Sequence, residues 1–254
     1  MRHYLVEGNT LPEAYHKALV TLEEQGKVYP CPDYDTTMKE LSLTFYVEDA
    51  TAEPFISKMF PGGHHELQQY TMEICDGILN FMTEAGGSYW EYTYNQRFAY
   101  QLPFIIDELK RNPYSRRATM NIRDFEVDSK NDHPACLQSF GLYVRDGKLN
   151  MAVTMRSNDA VQATYMNAVG FIALARKIAK ELGVEVGSYT HTAYSFHAYE
   201  RNFPQLEKYV SDIKTKPIED LTYDYEGFYD EMMLDEIPSV LDMVEQLKKE
   251  HCVD

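Results

Sequence analysis

A cysteine heads an apolar alternating run in PACLQSFGLYVRDGKLNMAVTMRSND, residues 134–159, and the pair Arg156-Ser157 closes the same stretch. A thiol in such a run is by default a small buried hydrophobe. Guanidinium groups change its chemistry, because they favour the thiolate and bind phosphate bidentately. Pro134 can open the strand that carries Cys136, Arg156 stands where the partner strand would end, and SRRA at 115–118 adds Arg116 and Arg117 before the preceding strand. Alone, SRR reads as a solvated basic turn; with the rest, it points to a thiolate beside an anionic substrate. His197 and Tyr199, in HAY, lie on one face of a strand. Asn167 offers an amide that both donates and accepts. Asp159 stands where it can cap the long helix that follows.

These side chains need a sheet and helices to position them. LPEAYHKALVTLEEQG (11–26) has helical spacing and stops at a glycine, and ELSLTFYVED alternates Leu41, Leu43, Phe45 and Val47 with polar residues as a half-buried strand does. After PGGHH, a helix is expected over 66–84, then another in PFIIDELKRNP. From residue 117 strands follow closely, two of them joined by Asp146-Gly147, a hairpin signal. The segment 160–182 is apolar on most faces and predicts a helix buried all round, GSYTHTAYSFHAYERN a further strand, and SVLDMVEQLKKEHCVD a terminal helix. Strands and helices in this mixture argue one α+β domain over residues 1–254.

The formal net charge of -16 repels phosphate backbones, so a nucleic-acid partner is unlikely, although one local basic pocket can still hold one phosphate. Cys31, Cys75, Cys136 and Cys252 are scattered, with no CxxC and no zinc-type spacing, which suits free thiols in a reducing compartment and gives no metal site. The start lacks the order of a signal peptide and no window is apolar enough to span a membrane, so a soluble cytoplasmic protein is expected.

The order SRRA, PACLQSFGLYVRDGKL, MRSND, YMNAVG, GSYTHTAYSFHAY resembles the thymidylate synthase and pyrimidine-nucleotide hydroxymethylase family, and YTYNQRF with RSNDA and YTH is similar to its archaeal branch. The resemblance runs from Tyr89 to Asn202, with 1–85 and 204–254 weakly matched. It implies a large mixed or antiparallel sheet packed by helices, one of them long and buried. It implies Cys136 as the nucleophile that adds to C6 of a uracil ring, which lets C5 attack a one-carbon electrophile. Arg156 and Ser157 would bind the phosphate, joined by Arg116 and Arg117 donated across a homodimer interface. Asn167 would read the O4 and N3 edge of the base, where cytosine-acting members carry an acidic residue, and Asp159 would contact base and pterin. His197 and Tyr199 would bind the sugar 3′-hydroxyl, Tyr94 would help remove the C5 proton, and Trp90 would pack on the cofactor. The implied substrate is dUMP, and the implied co-substrate 5,10-methylenetetrahydrofolate or a related pterin, with no metal.

The sequence also departs from the family pattern. A catalytic glutamate is expected on the helix before Gly77, where Glu66 and Glu73 both stand out of register. Lys39 is a weak substitute for a further phosphate arginine, Leu137 replaces a histidine after the nucleophile, and the C-terminus does not resemble the tail that bacterial members fold over the cofactor. Without that lid, water control is open: hydride would give a methyl group and water a hydroxymethyl group. The motifs favour methylation of dUMP. 5-Hydroxymethylation of dUMP or another pyrimidine nucleotide is the alternative, a non-catalytic nucleotide-binding relative the third reading, and control of RNA is disfavoured by the acidity.

Overall fold

The computed structural model describes residues 1–83, 90–224 and 229–251. Its first half runs β1 (His3–Gly8), α1 (Leu11–Gln25), β2 (Lys27–Cys31), β3 (Thr36–Val47), β4 (Ile56–Ser57), α2 (His64–Asp76), α3 (Tyr94–Phe98), α4 (Leu102–Arg111), β5 (Thr119–Asn121) and α5 (Phe125–Asp128). The second half runs β6 (Leu137–Arg145), β7 (Lys148–Asp159), α6 (Thr164–Leu182), β8 (Glu185–Tyr199), α7 (Phe203–Thr215), α8 (Ile218–Leu221), β9 (Thr222–Tyr223), α9 (Tyr229–Asp235) and α10 (Ile237–Glu250). Tyr89, Cys252 and residues 225–228 of the tyrosine-rich stretch lie outside the described residues.

The main sheet has the order β1-β3-β8-β7-β6-β5, with β2 also paired to β3. It is mixed: β1/β3 and β7/β8 are parallel, and the other pairs antiparallel. Parallel neighbours need a crossover, and α6 supplies it between β7 and β8. The expected hairpin joins β6 to β7, with Asp146 at φ 51° and Gly147 at φ 76°, the left-handed conformations that a two-residue turn needs. Along β3 the expected alternation holds, with Leu41, Leu43, Phe45 and Val47 buried and Ser42, Thr44 and Tyr46 half-buried. One face of the sheet therefore meets the helices, while the other carries a half-exposed belt that includes Thr44 and Thr192, whose hydroxyls lie 2.8 Å apart.

Two helix boundaries differ from expectation. Gly77 adopts φ 67° and ends α2 at Asp76, so the helix expected over 66–84 stops early and a short turn of 3-10 helix, Asn80–Thr83, follows. The long helix starts at Thr164 because Asp159 Oδ1 accepts the N–H groups of Val161 (2.9 Å) and Gln162 (3.0 Å). Asp159 thus caps the turn before α6 rather than the helix itself. The first turns of α6 are buried nearly all round, and Lys177 and Lys180 expose one face near its end.

Helices α2 and α6 pack closely at Gly170. A Cβ built there would lie 2.7 Å from Cδ1 of Tyr70, so the missing side chain lets the Tyr70 ring sit on α6. Gly170→Ala is expected to cost about 1–3 kcal/mol in urea unfolding by forcing α2 outward, and to weaken nucleotide binding because Tyr70 shifts with α2. Unchanged stability and binding would refute this role for the contact.

Candidate active site

One cavity of about 710 Å³ opens at the carboxyl ends of β7 and β8 and is lined by residues from β6 entry, β7, β8, α2, α6 and the 90–94 and 132–136 segments. Cys136, Tyr94, Arg156, Ser157, Asp159, Asn167, His197, Tyr199 and Trp90 all line it. A second cavity of about 800 Å³, walled by β1, α1 and the 213–221 region, has no thiol or guanidinium in its lining. The chemistry therefore belongs to the first.

Cys136 sits just before β6 rather than within a strand. There the β6/β7 register shifts between Leu137 and Ser139, and Cys136 C=O accepts the Arg156 N–H at 2.8 Å. A bulge beside the entry residue re-aims its side chain. The Arg156 guanidinium is fixed from behind, Nε donating to Ala135 C=O (3.1 Å) and Nη2 to Pro134 C=O (2.7 Å). Burial pushes the Cys136 thiol above its ordinary value, and Arg156 opposes this without overcoming it. The net depression expected from nearby guanidinium groups is thus absent, because desolvation outweighs the one cation in reach.

Glu66 and Glu73 separate by environment. Glu66 Oε2 accepts the Gly63 N–H at 2.7 Å at the start of α2, and backbone hydrogen bonds hold its carboxyl below the usual range. Glu73, two turns on, lines the cavity, and burial raises its carboxyl to about 7. A carboxyl poised near neutrality in the same cavity wall as a thiol is suited to moving a proton. Spacing alone did not identify Glu73; its position three residues after Tyr70 on the face that meets α6 is the signal that packing makes readable.

The remaining walls are polar groups with defined partners. Tyr94 OH accepts the Leu137 N–H at 3.3 Å, and burial holds its phenol well above its ordinary value, so the group is a neutral hydrogen-bonding hydroxyl rather than an anion. The neighbouring Tyr92 phenol is pushed up to about 12, by burial first and then by Cys136. Asn167 Oδ1 accepts from Asn158 Nδ2 at 2.9 Å, and its Nδ2 donates to Tyr70 OH. His197 is 3% exposed and its Nε2 has no hydrogen-bond partner among the described residues. A buried nitrogen left unpaired in a cavity wall is costly, and a ligand hydroxyl would satisfy it. Tyr199 packs edge-on against the His197 ring at 4.8 Å.

Three cationic residues lie elsewhere. Arg116 and Arg117 are exposed and do not line the cavity of their own chain, and Arg117 pairs with Glu108 at 3.0 Å. Lys39 is bound to Glu23 at 2.6 Å and also stays outside the lining, which removes it as a phosphate ligand. Among the described residues that line the cavity, Arg156 alone carries a guanidinium or ammonium, against Asp33, Glu73, Asp132 and Asp159. The described residues form no cluster able to hold a metal ion, and no helix among them is long and apolar enough to cross a membrane.

A Methanocaldococcus jannaschii protein named "Putative thymidylate synthase" is 32% identical over 211 residues, covering 80% of this chain and 94% of that protein. A deoxyuridylate hydroxymethyltransferase of Pseudomonas phage M6 is 31% identical over 206 residues, 76% of this chain and 58% of that protein. The thermostable thymidylate synthase A of Bacillus subtilis shares the fold, with a TM-score of 0.65 at 17% identity over 84% of this chain and 92% of the other. The family model described as thymidylate synthase matches residues 63–236, a span that holds Glu73, Cys136, Arg156, Asn167 and His197, and the chain belongs to the thymidylate synthase family.

Proposed function

We propose that this chain transfers a one-carbon unit to C5 of dUMP, from 5,10-methylenetetrahydrofolate or a related pterin, as a cytoplasmic homodimer. The observation that carries the reading is the meeting of Cys136, Glu73, Arg156 and the unpartnered His197 Nε2 in one cavity. Arg156 and Ser157 bind the phosphate, while His197 Nε2 and Tyr199 take the sugar 3′-hydroxyl. Asn167 meets the O4 and N3 edge of the ring. The Cys136 sulfur adds to C6, pushing electrons toward O4, where the Asn167 N–H stabilises the developing charge. C5 then bonds to the one-carbon unit and Glu73 accepts the C5 proton with Tyr94 as relay; the pterin amine would leave as the C5–H electrons form an exocyclic methylene at C5, and hydride from the same donor would reduce that methylene to methyl as the C6–S bond breaks and returns the thiolate. The cavity fits a pterin in that Trp90 and Asp159 lie on its wall, and the donor, when bound, would supply the electrophilic carbon.

The acid-rich cavity with a single guanidinium supports donation of Arg116 and Arg117 by a second copy, as does the half-exposed sheet face. Arg116→Ala/Arg117→Ala and Cys136→Ala proteins are each expected to be inactive. Mixed and reassembled, they should regain about one quarter of the wild-type activity, because half of the dimers then hold one intact site. No recovery, with heterodimers present, would refute donation across the interface.

The similarity to the phage M6 protein favours a second ending, water in place of hydride, with every step before the hydride unchanged. Incubation with dUMP and methylenetetrahydrofolate, followed by mass measurement, distinguishes the two: the methyl product is heavier than dUMP by CH2, the hydroxymethyl product by CH2O. Binding of dUMP with no heavier product would overturn the enzymatic reading and leave a nucleotide-binding relative.

A further inference from the structure

Behind Asn167 runs a buried line of side chains that the reaction does not use. It begins at Tyr189, completely buried, whose hydroxyl has one partner among the described residues, His191 Nδ1 at 2.8 Å. It continues from His191 Nε2 to Asn158 Oδ1 at 2.8 Å, from Asn158 Nδ2 to Asn167 Oδ1 at 2.9 Å, and from Asn167 Nδ2 to the Tyr70 hydroxyl. His191 is also completely buried and stacked on Phe45, ring centroids 4.7 Å apart.

The direction of every link follows from the first. A phenol carries one hydrogen, and a buried O–H without an acceptor costs more than an unused lone pair. Tyr189 must therefore donate to Nδ1. The imidazole is neutral, since burial lowers its pKa to about 3, so its hydrogen lies on Nε2 and is donated to Asn158 Oδ1. That turns the Asn158 NH2 toward Asn167, which must answer with its oxygen. The reverse order would satisfy each inner link, with Thr164 Oγ1, 2.9 Å from Asn158 Oδ1, able to adapt. It would leave the Tyr189 hydrogen with no acceptor.

We propose that Tyr189, His191 and Asn158 are specificity-determining positioning residues that lock the Asn167 amide in one orientation and so make the site read uracil and reject cytosine. This rests on the reading of Asn167 as the residue that meets the pyrimidine edge. After its internal bonds, Asn167 keeps one N–H and one lone pair. Uracil offers an acceptor at O4 and a donor at N3, whereas cytosine offers the opposite order. An isolated amide could turn over to suit either base. Here a turned amide would set the Asn167 NH2 against the Asn158 NH2, and the conflict would pass back to Tyr189.

The test measures dissociation constants for dUMP and dCMP, which share phosphate and sugar. His191→Leu removes both ring nitrogens, so the donor that keeps the Asn158 oxygen turned away from Asn167 is lost. The dUMP preference is expected to fall about tenfold or more, the worth of one buried unsatisfied donor. Asn158→Asp, which can only accept, should turn the Asn167 NH2 toward position 158 and move the preference further toward dCMP. Equal loss of both affinities, with the ratio unchanged, would show a merely structural role and overturn the proposal. A second measurement needs no ligand: nitrogen-15 NMR of His191 should show the Nε2–H tautomer, and the Nδ1–H tautomer would overturn the proposal. A wild-type protein that binds neither nucleotide overturns the uracil reading itself, a result distinct from either of these.

Discussion

Glu73→Gln is expected to lower turnover of dUMP by about 10²- to 10⁴-fold, the range for removing a positioned proton-transfer group, while leaving the nucleotide's affinity within a few-fold. The glutamine keeps the shape and hydrogen-bonding capacity of the carboxyl and loses only its ability to take a proton. The same change should stabilise the protein, with a definite pH dependence. Burial raises the Glu73 carboxyl from 4.5 to about 7, so between those values the folded chain holds a proton that the unfolded chain has released. Stability contributed by the protonated group is present in full below 4.5 and is lost as pH rises through 7. Glu73→Gln should therefore match the wild type in urea unfolding at pH 4 and exceed it at pH 8 by roughly 1–3 kcal/mol, a figure reduced because the residue is only partly buried. A variant with full activity would remove Glu73 from the mechanism. Equal stability at both pH values would show that the carboxyl is not held in its neutral form.

Cys136→Ala is expected to abolish product formation, with a loss of at least about 10⁴-fold, because no other thiol or hydroxyl in the account can add to C6. Cys31, which also lines the cavity, lies at the end of β2. Binding of dUMP should persist, since Arg156 is anchored to the carbonyls of Pro134 and Ala135 and not to the sulfur. Because burial raises the free thiol, its alkylation by iodoacetamide should be slow at neutral pH and climb through and beyond the ordinary thiol value of 9.0. Bound dUMP should protect it. Rapid alkylation at neutral pH would contradict a thiol held protonated by burial.

Most of the site was legible in the sequence because its residues fall in short motifs fixed to strand ends. Arg156, Ser157 and Asp159 close β7, His197 and Tyr199 close β8, and Cys136 opens β6, so strand pairing alone brings them to one rim. Asn167 follows on the crossover helix between β7 and β8. The glutamate was not legible, since Glu66 and Glu73 share one helix and only the depth of α2 against α6, set at Gly170, decides which carboxyl meets the cavity. The state of the thiol is not legible because sequence shows charges but not desolvation. The line from Tyr189 through His191 to Asn158 is not legible because alternating residues of a strand reveal a buried face, and not the hydrogen bonds strung along it. The helix expected to begin at residue 160 begins at Thr164 because the Asp159 carboxylate, read as a helix cap, is used one turn earlier.

The bond between the Cys136 sulfur and C6 of dUMP is the step on which all the others depend, and release of tritium from C5-labelled dUMP tests it most directly. Only a ring already attacked at C6 gives up its C5 hydrogen in this mechanism. The wild type is expected to release tritium when the one-carbon donor is added, and Cys136→Ala, still binding dUMP, to release none. Release by Cys136→Ala at the wild-type rate would contradict it.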